Sequence, residues 1–239
     1  MFLPILFLKS IETKIFHNIY INKNIRLIMI MPTKREAVWV IIVILIMGFM
    51  ISFSLSPTYS PKILLISAII ILTHIFTKKI AGKFFNIKVE HTILEFQRWS
   101  YYKRSHFKKS IPIGLILPFF ISIISLGIIK PFWLLQFNSE NLMKKRIKRA
   151  RGESMYRRTE INESDLGFTA AWGFWSLILL AIIGFYLKQP ELTKYSIYYG
   201  IWNLVPLSNL DGIKLFFGSL INWILLAIVY MISLIIVLV

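Results

Sequence analysis

Long uncharged stretches divide the chain and set its predicted elements. A bilayer core about 30 Å thick is crossed by roughly 20 apolar residues in a helix, so stretches approaching that length indicate membrane spans. Five such stretches and a sixth, interrupted one occupy residues 37–55, 63–77, 111–129, 166–187, 215–239 and 195–210. This pattern predicts an all-α multi-pass membrane protein with five to six membrane segments.

The first residues fit no membrane span. The apolar stretch Phe2–Leu8 is too short to cross a bilayer, and no small-residue cleavage site of a signal peptide follows it. One interpretation is an amphipathic or disordered lead-in over residues 1–36. Another is that translation starts at Met29 or Met31. We expect residues 37–239 to form a single integral membrane domain.

Two basic polar stretches lie between the apolar ones. The first, 78–109, has nine basic and two acidic residues. It alternates in places between apolar and polar side chains, which predicts a small strand pair at the membrane interface over 78–110. The second stretch is 138–165, and the positive-inside rule favours the same side of the membrane for both. A re-entrant or broken hairpin over 111–137 satisfies the rule, whereas a plain span there does not, and both alternatives stay open.

Composition narrows the class of protein. Hydrophobic residues make up 56% of the chain and the mean hydropathy is +0.67, which excludes a disordered protein. The absence of cysteine excludes a disulfide scaffold. The net charge of +17 would suit a nucleic-acid binder, but a soluble one would be less apolar. We therefore expect the basic run 144–151 to meet anionic lipid or to orient the chain in a cell membrane, with no nucleic-acid partner.

Polar residues inside apolar stretches are the best candidates for function, because an ionisable group at mid-bilayer normally has a partner or a task. His74 and Lys78 are four residues apart, the spacing of one helical turn, at the end of the second apolar stretch. Asp211 precedes the last apolar stretch. In contrast, Gly167, Gly173 and Gly184 favour the close approach of helices rather than chemistry.

The residues around Asp211 follow a recognisable pattern. Their spacing is N-x-x-P-x-x-x-L-D-G, and the matching positions are Asn203, Pro206, Leu210, Asp211 and Gly212. This segment resembles the signature of the site-2 protease family of intramembrane zinc metalloproteases. The stretch 73–85 is similar to that family's H-E-x-x-H helix and its continuation, and 156–161 with 171–173 resembles its basic lead and A-G-P element. From about residue 60 onward, the resemblance implies a site-2-protease-like core.

Departures from that family bear on its chemistry. In site-2 proteases both His residues of H-E-x-x-H and the Asp of L-D-G bind zinc, and the Glu is the general base. His74 and Asp211 match two of the three ligands, but Ile75 stands at the Glu position and Lys78 at the second His. A catalytic zinc site needs three protein ligands and an open position for water. The resemblance thus implies a degenerate, catalytically inactive member without a cofactor, in which His74 and Asp211 are weak metal candidates.

The substitution itself suggests a replacement for the metal. We predict that Lys78 and Asp211 form an ion pair, with His74 as a further hydrogen-bond partner. The alternatives are that Lys78 extends to the headgroups and that Asp211 caps a helix over 213–239. Such a protein would bind membrane-embedded helices or an active relative. An active atypical metalloprotease and a small transporter or channel component are the alternative functions.

Overall fold

The computed structural model describes residues 32–55, 61–98, 106–141, 144–148, 154–158 and 161–238, and these are mostly helical. The helices are α1 Lys34–Leu55, α2 Pro61–Phe84, α3 Ile113–Ile124, α4 Glu163–Tyr186, α5 Pro190–Leu204, α6 Asp211–Gly218 and α7 Leu220–Leu238. Within this part of the chain, four helices are long and apolar enough to cross a membrane: Lys34–Phe53, Pro61–Phe84, Glu163–Tyr186 and Leu220–Val237. The protein is therefore a multi-pass membrane protein in its general class.

The helices differ in detail from the apolar stretches. Helix α2 continues to Phe84, past the predicted end at residue 77, so Lys78 lies within the helix. The last stretch is broken at Ser219, between α6 and α7. Helices α3 and α5, which correspond to the predicted segments 111–129 and 195–210, have 12 and 15 residues. At 1.5 Å per residue both are shorter than a bilayer core.

Three antiparallel strand pairs accompany the helices. The strands are β1 Ile87–Ile93, β2 Phe96–Arg98, β3 His106–Ile111, β4 Leu135–Asn141, β5 Lys144–Lys148 and β6 Ser154–Arg158. Strand β1 pairs with β4, β2 with β3, and β5 with β6. The strand pair predicted over 78–110 is present only as β2–β3, and β1 instead pairs with β4. The sequence did not predict β4 as this partner strand, because only Leu135 and Phe137 alternate clearly with polar residues.

The segment 111–137 turns back on itself. The backbone of Leu94 marks both of its ends, because Leu94 O accepts from Gly114 N at 2.9 Å and Leu94 N donates to Leu134 O at 3.1 Å. Between these contacts lie the short helix α3 and a turn in which Leu126 has a positive φ of 52°. The two ends of this segment thus lie together, an arrangement that a re-entrant or broken hairpin requires and a plain span does not give.

Helix α4 lies at the centre of the bundle and packs against α2, α5 and α6. Its glycines permit these approaches. A Cβ at Gly167 would lie 2.9 Å from Gly218 Cα on α6, one at Gly173 would lie 2.9 Å from His74 Cε1 on α2, and one at Gly184 would lie 2.8 Å from Thr193 Oγ1 on α5. The prediction that these three glycines serve close helix approach is confirmed.

Candidate functional site

Asp211 is positioned by the turn between α5 and α6. Helix α6 begins at Asp211 itself, and its second residue, Gly212, lies against the end of α5. A Cβ at Gly212 would come within 2.2 Å of Leu204 O, so only glycine allows this approach. The preceding residue, Leu210, is fully buried and anchors the turn. The carboxylate is thereby directed toward α2.

The three polar residues singled out in the sequence converge. Lys78 Nζ lies 2.5 Å from Asp211 Oδ2, and His74 Nε2 lies 2.9 Å from the same oxygen. Each of the three is 1% exposed. Because His74 and Lys78 are one helical turn apart on α2, both reach the carboxylate from one helix face. Asp211 Oδ1 has no hydrogen-bond partner among the described residues.

The alternative interpretations of Lys78 and Asp211 are wrong. Lys78 does not extend to the headgroups, since it is buried. Asp211 does not cap a helix over 213–239, because it is the first residue of α6, Leu210 occupies the N-cap position, and no side chain caps this helix. Burial alone would raise the pKa of Asp211, but the charge of Lys78 and the hydrogen bond from His74 outweigh it and hold that pKa below its ordinary value.

The remaining motif residues surround this turn. Asn203 is fully buried, and its Nδ2 donates to Phe132 O at 3.1 Å and to Tyr199 O at 2.8 Å. It thereby links α5 to the end of the segment 111–137. Pro206 lies in the exposed turn, two residues before Ser208, whose φ is +51°. Asn203 and Gly212 thus support the position of Asp211 from either side of the turn.

A second buried cluster, not predicted from the sequence, lies around Glu36. Thr33 Oγ1 accepts from Glu36 N at 3.2 Å, and Glu36 Oε2 accepts from Thr33 N at 3.3 Å. This is a reciprocal capping box at the start of α1. The boundary between a lead-in and the membrane domain at residues 36 and 37 therefore falls inside a helix, and Glu36 belongs to the core.

The carboxylate of Glu36 also joins α2 and β1. Lys79 Nζ lies 2.6 Å from Glu36 Oε2, while His91 N and His91 Nδ1 lie 3.1 and 3.0 Å from Oε1. Glu36 is 1% exposed, Lys79 3% and His91 0%. This carboxylate accepts four hydrogen bonds, so its burial is compensated. The cluster fixes the start of α1 to the C-terminal part of α2 and to the sheet.

Phe137 lies between the two clusters. Its backbone is paired with His91 across the β1–β4 ladder, and the two rings are 6.2 Å apart. Lys78 Nζ lies 5.1 Å from the centre of the Phe137 ring and Lys214 Nζ lies 3.5 Å from it, in cation–π geometry. Lys214 Nζ also donates to Phe137 O. Burial lowers the pKa of Lys214 to about 8. The clusters thus share one aromatic contact.

Two signals in the sequence point to this second cluster. Thr33 and Glu36 have capping-box spacing directly before an apolar run. On β1, Ile87, Val89 and Ile93 alternate as buried residues, and His91 occupies the same buried face. What no local pattern shows is that Lys79 and His91 meet the same carboxylate, because those contacts span 43 and 55 residues.

Neither cluster offers the donor set of a catalytic zinc centre. Around Asp211, the ammonium of Lys78 occupies the carboxylate oxygen that His74 also contacts, and an ammonium has no lone pair for a metal. Within the described ranges, no group of three or more His, Asp or Glu side chains is placed to hold a metal ion. The arrangement can neutralise charge and rigidify the bundle. The side chain of Ile75, next to His74, cannot accept a proton.

Fold and site together define a class: a multi-pass membrane protein whose helix bundle encloses two buried ion-pair clusters. Comparison of the chain with protein-family models, with curated proteins and with solved structures found no match. The class therefore rests on the geometry described above.

The contact between Gly173 and the Asp211 cluster gives a first prediction. Gly173→Ala should lower the free energy of unfolding by about 1–3 kcal/mol, the usual effect of overpacking, because the new Cβ would lie 2.9 Å from both His74 Cε1 and Lys78 Cγ. Thermal unfolding in detergent measures it. The control is Trp172→Ala at a side chain that is 56% exposed, and equal destabilisation by both variants would contradict the prediction.

We expect the stability of the fold to depend on pH through His91. Burial, and then the charge of Lys78, lower the pKa of His91 to about 3 from an ordinary value of 6.5, against the opposing effect of Glu36. Between these values the unfolded chain binds a proton that the folded chain does not, so stability falls as the pH falls below about 6.5. The slope approaches 1.4 kcal/mol per pH unit for one such proton.

Unfolding temperatures between pH 7.5 and 5 test this expectation. His91→Gln keeps a donor for Glu36 and removes the titrating group, so its pH dependence should be shallower than that of the parent. Equal pH dependence in both proteins would show that other groups are responsible. The comparison requires that the other charged groups near His91 stay unaltered, namely Glu36, Lys79, Lys78 and Asp211.

Proposed function

We propose that this chain is a non-proteolytic relative of the site-2 proteases that binds a membrane-embedded segment of another protein without cutting it. The segment would be a transmembrane helix, including one of an active relative. The observation that carries the proposal is the ion pair between Lys78 and Asp211, 2.5 Å long, at two motif positions where the family has metal ligands.

Chemistry supports the non-proteolytic part of the proposal. Peptide hydrolysis by this mechanism needs a metal to polarise the carbonyl and a base to take a proton from water. The Ile75 side chain accepts no proton, and Lys78 presents a positive charge where zinc would be bound. His74 is already engaged with Asp211 Oδ2. The same positions can therefore hold the bundle together without a metal.

The sheet supports the binding part of the proposal. Among the described strands, β4 pairs only with β1, and its other edge, here called the free edge, has no strand neighbour, although Phe137 O on it accepts from Lys214. His91 N on β1 points outward to Glu36, and Phe137 O on β4 points outward to Lys214. The free edge of β4 therefore faces the side of α6 and of Asp211. An extended segment of a partner can add to such an edge through backbone hydrogen bonds.

The test combines metal content, cleavage and crosslinking on the full chain in lipid vesicles. We expect less than stoichiometric zinc and no cleavage of a co-reconstituted single-span membrane protein. A photo-crosslinker at Ser139 on the free edge should attach to that protein more than one at Ile235 on the outer face of α7, which is 59% exposed. Equal attachment at both positions would contradict the binding part.

Three outcomes would contradict the proposal and support one of its alternatives. Stoichiometric zinc that disappears in His74→Ala and Asp211→Ala would establish the alternative metalloprotease. Cleavage of the co-reconstituted protein would do the same. Ion flux across the vesicles, abolished by Asp211→Asn, would establish the transporter alternative.

A further inference from the structure

An apolar groove lies at the end of the bundle opposite the start of α4, between α4, α5 and α7. Its volume is about 920 Å³, which is in the range of roughly 300–1,000 Å³ for ligand sites. The walls are formed mostly by aliphatic side chains, among them Ile178, Ile182, Ile197, Val229 and Ile236. The groove is therefore suited to a long apolar ligand.

The position of the groove places one end of it at headgroup level. Helix α4 has 24 residues and is about 36 Å long, so its ends extend beyond a bilayer core of about 30 Å. The groove reaches the last residues of α4, Phe185 and Tyr186, and then Lys188 and Gln189. Aromatic residues at such an end are typical of the membrane interface. The apolar part thus lies at the depth of acyl chains.

Lys188 is held at the mouth of this groove in an unusual backbone conformation. Helix α4 ends in a Schellman motif, in which Gln189 N donates to Gly184 O at 2.9 Å and Lys188 N donates to Phe185 O at 3.1 Å. Glycine is preferred at the position of Lys188, because its φ of 53° is in the left-handed region. The lysine therefore has a strained backbone where glycine would relieve it.

The charge of Lys188 is available to a ligand. The side chain is exposed and forms no ion pair with any residue in the described ranges. The nearby carboxylate of Glu191 is instead paired with Lys62 at 3.2 Å. A strained residue with an unpaired charge at the entrance of a groove points to a role in binding there.

We propose that this groove binds one anionic phospholipid, with an acyl chain between α4, α5 and α7 and the headgroup phosphate against Lys188. The apolar walls bury the chain, and the lysine compensates the negative charge of the headgroup. The bilayer supplies the ligand, because the groove lies among three helices of which α4 and α7 are candidate membrane spans. This site is separate from the Asp211 cluster and does not rest on the proposed function.

Native mass spectrometry of the full chain tests the site, with phosphatidylglycerol and phosphatidylcholine as the two probes. We expect one tightly retained lipid per chain and a preference for phosphatidylglycerol. Lys188→Gly should weaken the binding of phosphatidylglycerol about fivefold, the effect of one lysine near a membrane surface. It should leave the binding of phosphatidylcholine unchanged. Its unfolding temperature should equal or exceed that of the parent, so misfolding cannot explain the loss.

The matched controls separate this site from general lipid contact. Ser233→Phe places a ring in the groove and should remove the retained lipid, whereas Ile235→Phe on the lipid-facing side of α7 should not. Lys194→Gln removes an exposed lysine of α5 that does not line the groove and should leave the preference intact. Unchanged retention in both Lys188→Gly and Ser233→Phe would overturn the proposal. So would a groove filled by a second copy of the chain, detected as a dimer crosslinked at Ile182.

Discussion

We expect Lys78→Met to lower the free energy of unfolding by about 3–5 kcal/mol, the usual effect of removing one partner of a buried ion pair. The substitution keeps most of the length of the side chain and removes its charge. It leaves the Asp211 carboxylate, which is 1% exposed, with His74 as its remaining hydrogen-bond partner and with the weaker effect of the Lys214 charge. The carboxylate then lacks the cation that compensates its desolvation. Denaturant unfolding in detergent micelles, followed by tryptophan fluorescence, measures the change.

A second substitution distinguishes the ion pair from the packing of Lys78. In Lys78→Met with Asp211→Leu both charges are absent, and replacing a buried pair by apolar side chains is often neutral or stabilising. The double variant should therefore recover most of the lost stability. Lys83→Met, at a half-exposed lysine of the same helix, is the control and should change stability by less than about 0.5 kcal/mol. If Lys78→Met and Lys83→Met behave alike, the pair does not stabilise the fold.

The Asp211 cluster could be predicted from the sequence because its signals are local. His74 and Lys78 are one turn apart, so a helix must place them on one face. Asp211 follows a proline and precedes a glycine, at a spacing that marks a turn before a helix. The remaining step, that α6 faces α2, came from the family resemblance. The structure contains that contact at 2.5 Å.

The Glu36 cluster could not be predicted from the sequence, because its contacts are not local. The capping box predicts where α1 begins, but no pattern along the chain tells which helix and which strand the carboxylate meets. The pairing of β1 with β4 is similar, because strand partners are chosen by the packing of the whole sheet against the bundle rather than by β4 itself. Contacts across 43 or more residues depend on tertiary packing. The local pattern over 78–110 therefore predicts only an interfacial stretch, whereas His91 within it is buried.

Ile75→Glu combined with Lys78→His should give a chain that binds about one zinc ion. The two substitutions supply the second histidine and the acid of H-E-x-x-H, while His74 and Asp211 provide the other two ligands. The starting geometry is favourable, because both side chains of α2 already reach Asp211 Oδ2, at 2.9 Å from His74 and 2.5 Å from Lys78. A ligand set of three with a free position is the pattern of catalytic zinc.

Zinc binding in this variant should also stabilise the fold, since the metal binds only the folded state. The measurements are the metal content after dialysis and the unfolding temperature before and after chelation. Ile75→Glu with Lys78→Met lacks the third ligand and should bind no stoichiometric zinc, as should the parent. A folded variant with the full ligand set but without zinc would mean that the motif positions do not have the metal geometry of site-2 proteases. The proposed relationship would then lose its main support, while the ion pair measured through Lys78→Met would stand on its own.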